Sequence, residues 1–205
     1  APVGHSAQVP ERRLVPGRAA RVGAWVAARG LRGLPVGRVG DPRLAEGMVQ
    51  YGLWAVLQFH RQLDLAQANQ RRAVWQRPPL KPASEYRVGL MGLGQLGVPI
   101  ARALLGLGYA VNGWSRSGQP VEGMTLYQGA EAFEPFLAAT DALVCVLPLT
   151  EATRGILNRD TFAALPRGAA VINCGRGEHL VVPDLLAALD SGQLRGAVLD
   201  VFAHE

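Results

Sequence analysis

The feature that most limits what this chain can become is an alternation that starts at Tyr86 and runs to the end. Short apolar runs, each the length of a strand, take turns with stretches of helical spacing. The strand-like runs are 86–91, 109–114, 142–147, 169–173 and 196–201, and the helical ones are 97–107, 131–139, 160–165 and 183–189. Ala-Leu-Val-Cys-Val-Leu at 142–147 is apolar throughout, as a strand covered on both sides must be. Strands separated by helices pair in parallel, with right-handed crossovers and helices on both faces. The expected class is therefore α/β, a doubly wound parallel sheet of the Rossmann type.

Upstream, Leu44, Met48, Tyr51, Ala55, Phe59, Leu63 and Ala66 step by threes and fours. This predicts one helix over 44–72, roughly 40 Å long at ~1.5 Å per residue. Within it, His60 and Asp64 stand one turn apart and are expected to pair. Pro78, Pro79 and Pro82 end the helix in a linker over 76–84. Residues 1–40 carry four prolines and seven glycines, so no periodicity persists there. They also hold seven arginines against the single acid Glu11, a net of +6. The rest, with fourteen basic and fifteen acidic residues, has a net of −1. A basic arm of this kind suits nucleic acid, although base-reading motifs are absent.

A 49% apolar composition excludes a wholly disordered chain. No apolar run reaches the roughly 18 residues of a membrane helix, and residues 1–8 contain no leader-like apolar stretch. Two cysteines, Cys145 and Cys174, each in a strand-like run, exclude a disulfide framework and suggest a reducing, cytoplasmic setting. No metal site is expected.

Val88-Gly-Leu-Met-Gly92-Leu-Gly94-Gln-Leu-Gly97 has the order strand, tight turn, helix start. In that context G-x-G-x-x-G is a dinucleotide cradle. Gly92 permits the turn, Gly94 lets the backbone approach a pyrophosphate, and Gly97 lets the helix pack on the strand. Gln95 and Leu96 complete the cradle, at the positive end of the helix. About twenty residues on, an acid would hold the ribose hydroxyls of NAD. This chain has Trp114-Ser115-Arg116-Ser117 there, and no Asp or Glu between Gly92 and Pro120. Two hydroxyls flanking a guanidinium suit a 2′-phosphate, so NADP is expected as the preferred cofactor, with NAD possible.

Three further stretches carry a resemblance. Leu147-Pro-Leu-Thr-Glu-Ala-Thr-Arg-Gly-Ile-Leu-Asn158, Gly168-Ala-Ala-Val-Ile-Asn-Cys-Gly-Arg-Gly177 and the run from Leu185 to Leu199-Asp-Val-Phe202 together resemble the D-isomer-specific 2-hydroxyacid dehydrogenases. The helix, the linker and the Trp114-Ser-Arg-Ser turn are most similar to the glyoxylate/hydroxypyruvate reductase branch. The resemblance covers about residues 34–205. It implies NADPH-dependent reduction of a small 2-oxo acid. Arg176, in the Asn-x-x-Arg-Gly turn, would be catalytic, holding the substrate carboxylate and polarising the carbonyl. Asp200 would bind the nicotinamide amide. Leu147, Pro148 and Thr153 would lie along the cofactor, and Cys174 and Gly175 beside the nicotinamide ring.

The resemblance also implies a general-acid histidine and a supporting glutamate beyond the Leu-Asp-Val-Phe strand, which do not occur here. His5, His60, His179 and His204 do not match that histidine, and His179 is expected to pack or cap locally. The reading is of an incomplete gene product. Residues 1–41 would be a poorly formed remnant of the substrate domain, and residues 42–205 the NAD(P)-binding domain with the long 44–72 helix. The intact enzyme would be a homodimer through that helix. Two alternatives stay open: a dinucleotide-binding module without catalysis, and a nucleic-acid-binding arm on a Rossmann body.

Overall fold

The computed structural model describes residues 15–17, 36–38, 42–116 and 119–204. The chain divides into two compact units, Ala1–Leu44 and Ala45–Glu205. In the first, strands β1 (Val15–Gly17) and β2 (Val36–Arg38) pair in parallel, Val15 opposite Val36. His5 and Ser117 lie outside the described residues.

The second unit is built on β3 (Arg87–Met91), β4 (Ala110–Ser115), β5 (Thr125–Gln128), β6 (Ala142–Cys145), β7 (Ala169–Asn173) and β8 (Leu194–Leu199). They form one sheet in the order β5-β4-β3-β6-β7-β8, every pairing parallel. The chain starts in the middle, winds outward through β4 and β5, and returns to the other side of β3 for β6 to β8. The direction therefore reverses between β3 and β6, where an open α/β sheet leaves a crevice at its carboxyl edge.

Helices α1 (Pro42–His60), α2 (Leu63–Arg71), α3 (Gly97–Gly106), α4 (Phe133–Ala138), α5 (Arg159–Ala164) and α6 (Val182–Asp190) complete the fold. Every residue of β6 and β7 is buried. Alternate side chains feed two cores. On one face Ala55, Val56, Phe59, Ile100 and Leu104 meet Val88, Leu90, Val144 and Ile172. On the other, Phe136, Leu137, Phe162 and Leu185 meet Met91, Leu143, Cys145 and Val171. Pro183 falls in the first turn of α6, where a missing N–H costs nothing.

The single 44–72 helix is corrected by the structure. It ends at His60, passes through Gln62 in the left-handed region (φ 54°), and resumes at Leu63 as α2, which buries no residue. Arg195 of β8 explains the break. Its Nη1 donates to the Phe59 carbonyl at 2.8 Å and its Nη2 to the Asp64 carboxylate at 2.5 Å, so one guanidinium caps α1 and holds the start of α2. The expected His60–Asp64 pair is thereby also corrected. His60 Nδ1 meets the Tyr109 hydroxyl and its Nε2 the Lys81 carbonyl, both at 2.8 Å.

Strand β5 has no counterpart in the sequence reading. It is a four-residue edge strand, part exposed, set between Gly123 (φ +81°) and Gly129 (φ +90°). At the amino edge, Asp141 accepts from the Arg87 guanidinium at 2.7 and 3.1 Å and from its backbone N–H at 3.0 Å. Burial pushes the Asp141 carboxyl upward, but these bonds and nearby Lys81 outweigh it and hold it below its ordinary value.

Candidate cofactor and substrate site

Four loops, after β3, β4, β6 and β7, lie at the carboxyl edge of the sheet, in three groups. The first follows β3. Gly92 takes φ +103°, and its N–H donates to the Trp114 carbonyl at 2.9 Å. A side chain there would press on the backbone at Val146 and Leu147, at 3.2 and 3.3 Å. At Gly97 a Cβ would overlap the Gly92 carbonyl, so the first turn of α3 touches the strand backbone directly. Gly94 is different. It is exposed, and nothing lies within 4 Å of the position a Cβ would take. Two of the glycines are thus demanded by the protein's own packing. The third is not: Gly94 is open to solvent beside the start of a helix, so its backbone is accessible. Gln95 is exposed and Leu96 half-buried at that rim.

The second loop leaves β4. Ser115 is buried, while Arg116 is exposed and its carbonyl accepts from Gln128 Nε2 at 3.3 Å.

The third group follows β6 and β7. After β6, the Thr153 hydroxyl donates to the Pro148 carbonyl at 2.7 Å and accepts from the Thr150 N–H at 2.8 Å. Thr153 thus ties the loop that begins at Leu147 and spends its hydroxyl inside it. After β7, buried Asn173 brackets the next turn. Its Oδ1 accepts from Gly175 N–H at 3.1 Å and its Nδ2 donates to the Arg176 carbonyl at 3.0 Å. Its own carbonyl takes the Asp200 N–H at 3.0 Å, which joins this turn to the end of β8. A Cβ at Gly177 would overlap the backbone at Phe202, and one at Gly175 would press on the His179 ring and the Leu147 carbonyl.

Arg176 is therefore held from several sides. Its Nη1 also donates to the Gly175 carbonyl at 2.5 Å, and its N–H to His179 Nδ1 at 3.0 Å. Cys174 is buried, its thiol pushed up to about 12 by burial first and then by Asp200 and Cys145, so it is uncharged at neutral pH. Asp200 is exposed, and its charge reaches both Cys174 and Tyr51 of α1. Asn173 and His179 were absent from the site residues expected from sequence. The Asn-x-x-Arg-Gly turn contained the first, and His179 does pack and cap locally.

A doubly wound sheet with a glycine cradle at its reversal point defines a dinucleotide-binding domain. Residues 53–205 match the family model "D-isomer specific 2-hydroxyacid dehydrogenase, NAD binding domain". The chain belongs to that family. It is 41% identical over 172 residues to glyoxylate/hydroxypyruvate reductase A of Salmonella paratyphi B, covering 84% of this chain and 55% of that protein. The chain thus spans about half the length of the curated relatives it matches. It also resembles a D-isomer specific 2-hydroxyacid dehydrogenase from Xanthobacter autotrophicus Py2 solved with NADPH and MES (TM-score 0.94, 40% identity, 100% of this chain and 65% of that one). An NADPH-dependent glyoxylate/hydroxypyruvate reductase from Sinorhizobium meliloti, solved with NADP and sulfate, is similar at TM-score 0.93 and 37% identity, covering 100% of this chain and 66% of that one.

Proposed function

We propose that this domain binds NADP(H) and serves the reduction of a small 2-oxo acid such as glyoxylate or hydroxypyruvate. The observation that carries the reading is the locked Arg176 turn on the same sheet edge as the exposed, unobstructed backbone at Gly94, with β6 between them. The cofactor, when bound, supplies the hydride. Gly92, Gly94, Gln95, Leu96 and Gly97 receive its pyrophosphate, and Arg116 with Ser115 and Ser117 its 2′-phosphate. Leu147, Pro148, Cys174 and Gly175 form the wall along it. Thr153 shapes that wall, and Asp200 takes the nicotinamide amide. Arg176 grips the substrate carboxylate and stabilises the charge that develops on the carbonyl oxygen. The free, buried thiols of Cys145 and Cys174 support a reducing, cytoplasmic setting.

A second reading is a binding module without turnover: among the described residues, His60 has both ring nitrogens engaged near the amino edge and His179 is buried with Nδ1 bonded to Arg176, while His204 is exposed. NADPH oxidation assayed with glyoxylate and with hydroxypyruvate separates the two. Turnover that Arg176→Ala abolishes supports the reductase over the module. In either case Arg176→Ala is expected to weaken oxamate, a 2-oxo acid mimic, by about tenfold or more while NADPH affinity holds. Arg176→Lys recovers little, because a point charge cannot make the paired bonds.

The reading extends to a homodimer. Leu63 and Leu65 of α2 and Val74 and Trp75 beyond it are exposed, Trp75 at 85%, and they present apolar surface suited to a second copy. Sedimentation velocity is expected to show a dimer that Leu65→Ser with Trp75→Ser dissociates. A monomeric parent protein contradicts this.

A further inference from the structure

We infer that His179 is a positioning residue for Arg176: its neutral ring, with the proton on Nε2, holds the arginine backbone in place, and a second proton releases it. This rests on the reading of Arg176 as the carboxylate-binding group.

The geometry begins with the tautomer. Nδ1 lies 3.0 Å from the Arg176 nitrogen, which has a hydrogen to give. Nδ1 must therefore be the bare, accepting nitrogen, and the neutral ring then carries its proton on Nε2. Nε2 is buried with no hydrogen-bond partner among the described residues. The ring is fully buried. It stands where Gly175 lacks a side chain, since a Cβ there would lie 2.6 Å from Nδ1. Its backbone is pinned as well, the His179 carbonyl accepting from Leu157 N–H at 2.8 Å. Gly175, His179 and Arg176 are thus one unit: the missing side chain at 175 admits the ring, and the ring sets residue 176.

A proton on Nδ1 would point one donor at another. It would also place a cation inside the protein. The groups around the ring are the Cys145 sulfur 3.8 Å from Nδ1, the Pro148 carbonyl, and the charges of Arg176, Arg154 and Glu178. Burial is the largest influence and lowers the affinity for the proton. Arg176 and Arg154 act the same way, and the Pro148 carbonyl and Glu178 oppose them, so the ring stays neutral below its ordinary value of 6.5. The sign follows. The unfolded chain takes this proton first as pH falls through 6.5, so stability is lost from there downward and is unaffected above. The placement of Arg176 is lost lower still, where the folded ring itself is protonated.

Asparagine and leucine at 179 make a matched pair. They leave the same space, but only the asparagine Oδ1 can stand where Nδ1 stood and accept from Arg176. Oxamate is titrated into the 205-residue protein saturated with NADP+, from pH 8 downward, and followed by NMR at the Arg176 Nε–H. At pH 8, His179→Leu is expected to bind oxamate roughly tenfold more weakly than His179→Asn, the loss of about one hydrogen bond. The parent protein should lose affinity in acid, while His179→Asn stays flat. Long-range proton–nitrogen spectra of the parent protein read the tautomer directly and do not depend on either variant folding. A proton found on Nδ1 at pH 8, or equal oxamate affinity for the two variants, overturns the inference. If Arg176→Ala leaves oxamate affinity unchanged, the carboxylate role fails and the inference falls with it. The tautomer spectrum then shows separately whether the His179–Arg176 bond itself is real.

Discussion

Alanine at Gly97 is expected to cripple the fold, and alanine at Gly94 to spare the fold and destroy the cofactor site. The two glycines are three residues apart, Gly94 in the loop after β3 and Gly97 at the first residue of α3. At Gly97 the new methyl overlaps the Gly92 carbonyl, and backbone cannot step aside as a side chain can. Overpacking of this kind costs about 3 kcal/mol or more. For a domain of this size, that lowers Tm by roughly 6–12 °C. At Gly94 the methyl meets nothing of the protein within 4 Å, and φ lies outside the left-handed region. Restricting the unfolded chain there is worth up to about 1 kcal/mol in favour of folding, so Tm should hold or rise slightly. The methyl would stand where the pyrophosphate is proposed to approach the backbone, and NADPH affinity should fall on the order of 100-fold, about 2.7 kcal/mol. Thermal melts and NADPH fluorescence titrations of both variants check this. Normal NADPH binding by Gly94→Ala would show that the pyrophosphate lies elsewhere.

What could be read from sequence divides along a physical line. Strands β6 and β7 were legible because every residue in them is buried, which forces an unbroken apolar run. The glycine loop was legible because its demands are local: a turn at Gly92 and a close contact at Gly97, five residues apart. The break between α1 and α2 was not. Its cause is Arg195, more than 130 residues away, and the apolar spacing continues across Gln62 as though the helix did. The pairing of His60 is hidden for the same reason, since its partners are Tyr109 and Lys81 rather than a neighbour on the helix. Strand β5 is short, at the edge and part exposed, so burial imposes no pattern on it. At the site, the residue types in the Asn-x-x-Arg-Gly turn were visible. That Asn173 braces both flanks of Arg176, and that Thr153 spends its hydroxyl on its own loop, follows only from where the carbonyls point.

One titration tests, without requiring turnover, whether this domain is built for NADP(H). Calorimetry of NADPH and NADH against the parent protein and Arg116→Ala is that measurement. Arg116 is exposed at the end of β4, two residues past Trp114, whose carbonyl receives the Gly92 N–H, so it stands beside the cradle where the adenosine ribose would lie. Bonds to a charged phosphate are each worth about 1.5–3 kcal/mol, which predicts roughly a tenfold to a few hundredfold preference for NADPH. In Arg116→Ala that preference should shrink to within about threefold, with NADH affinity unchanged, because only the phosphate loses its partner. Equal affinity of the parent protein for NADPH and NADH would contradict the claim.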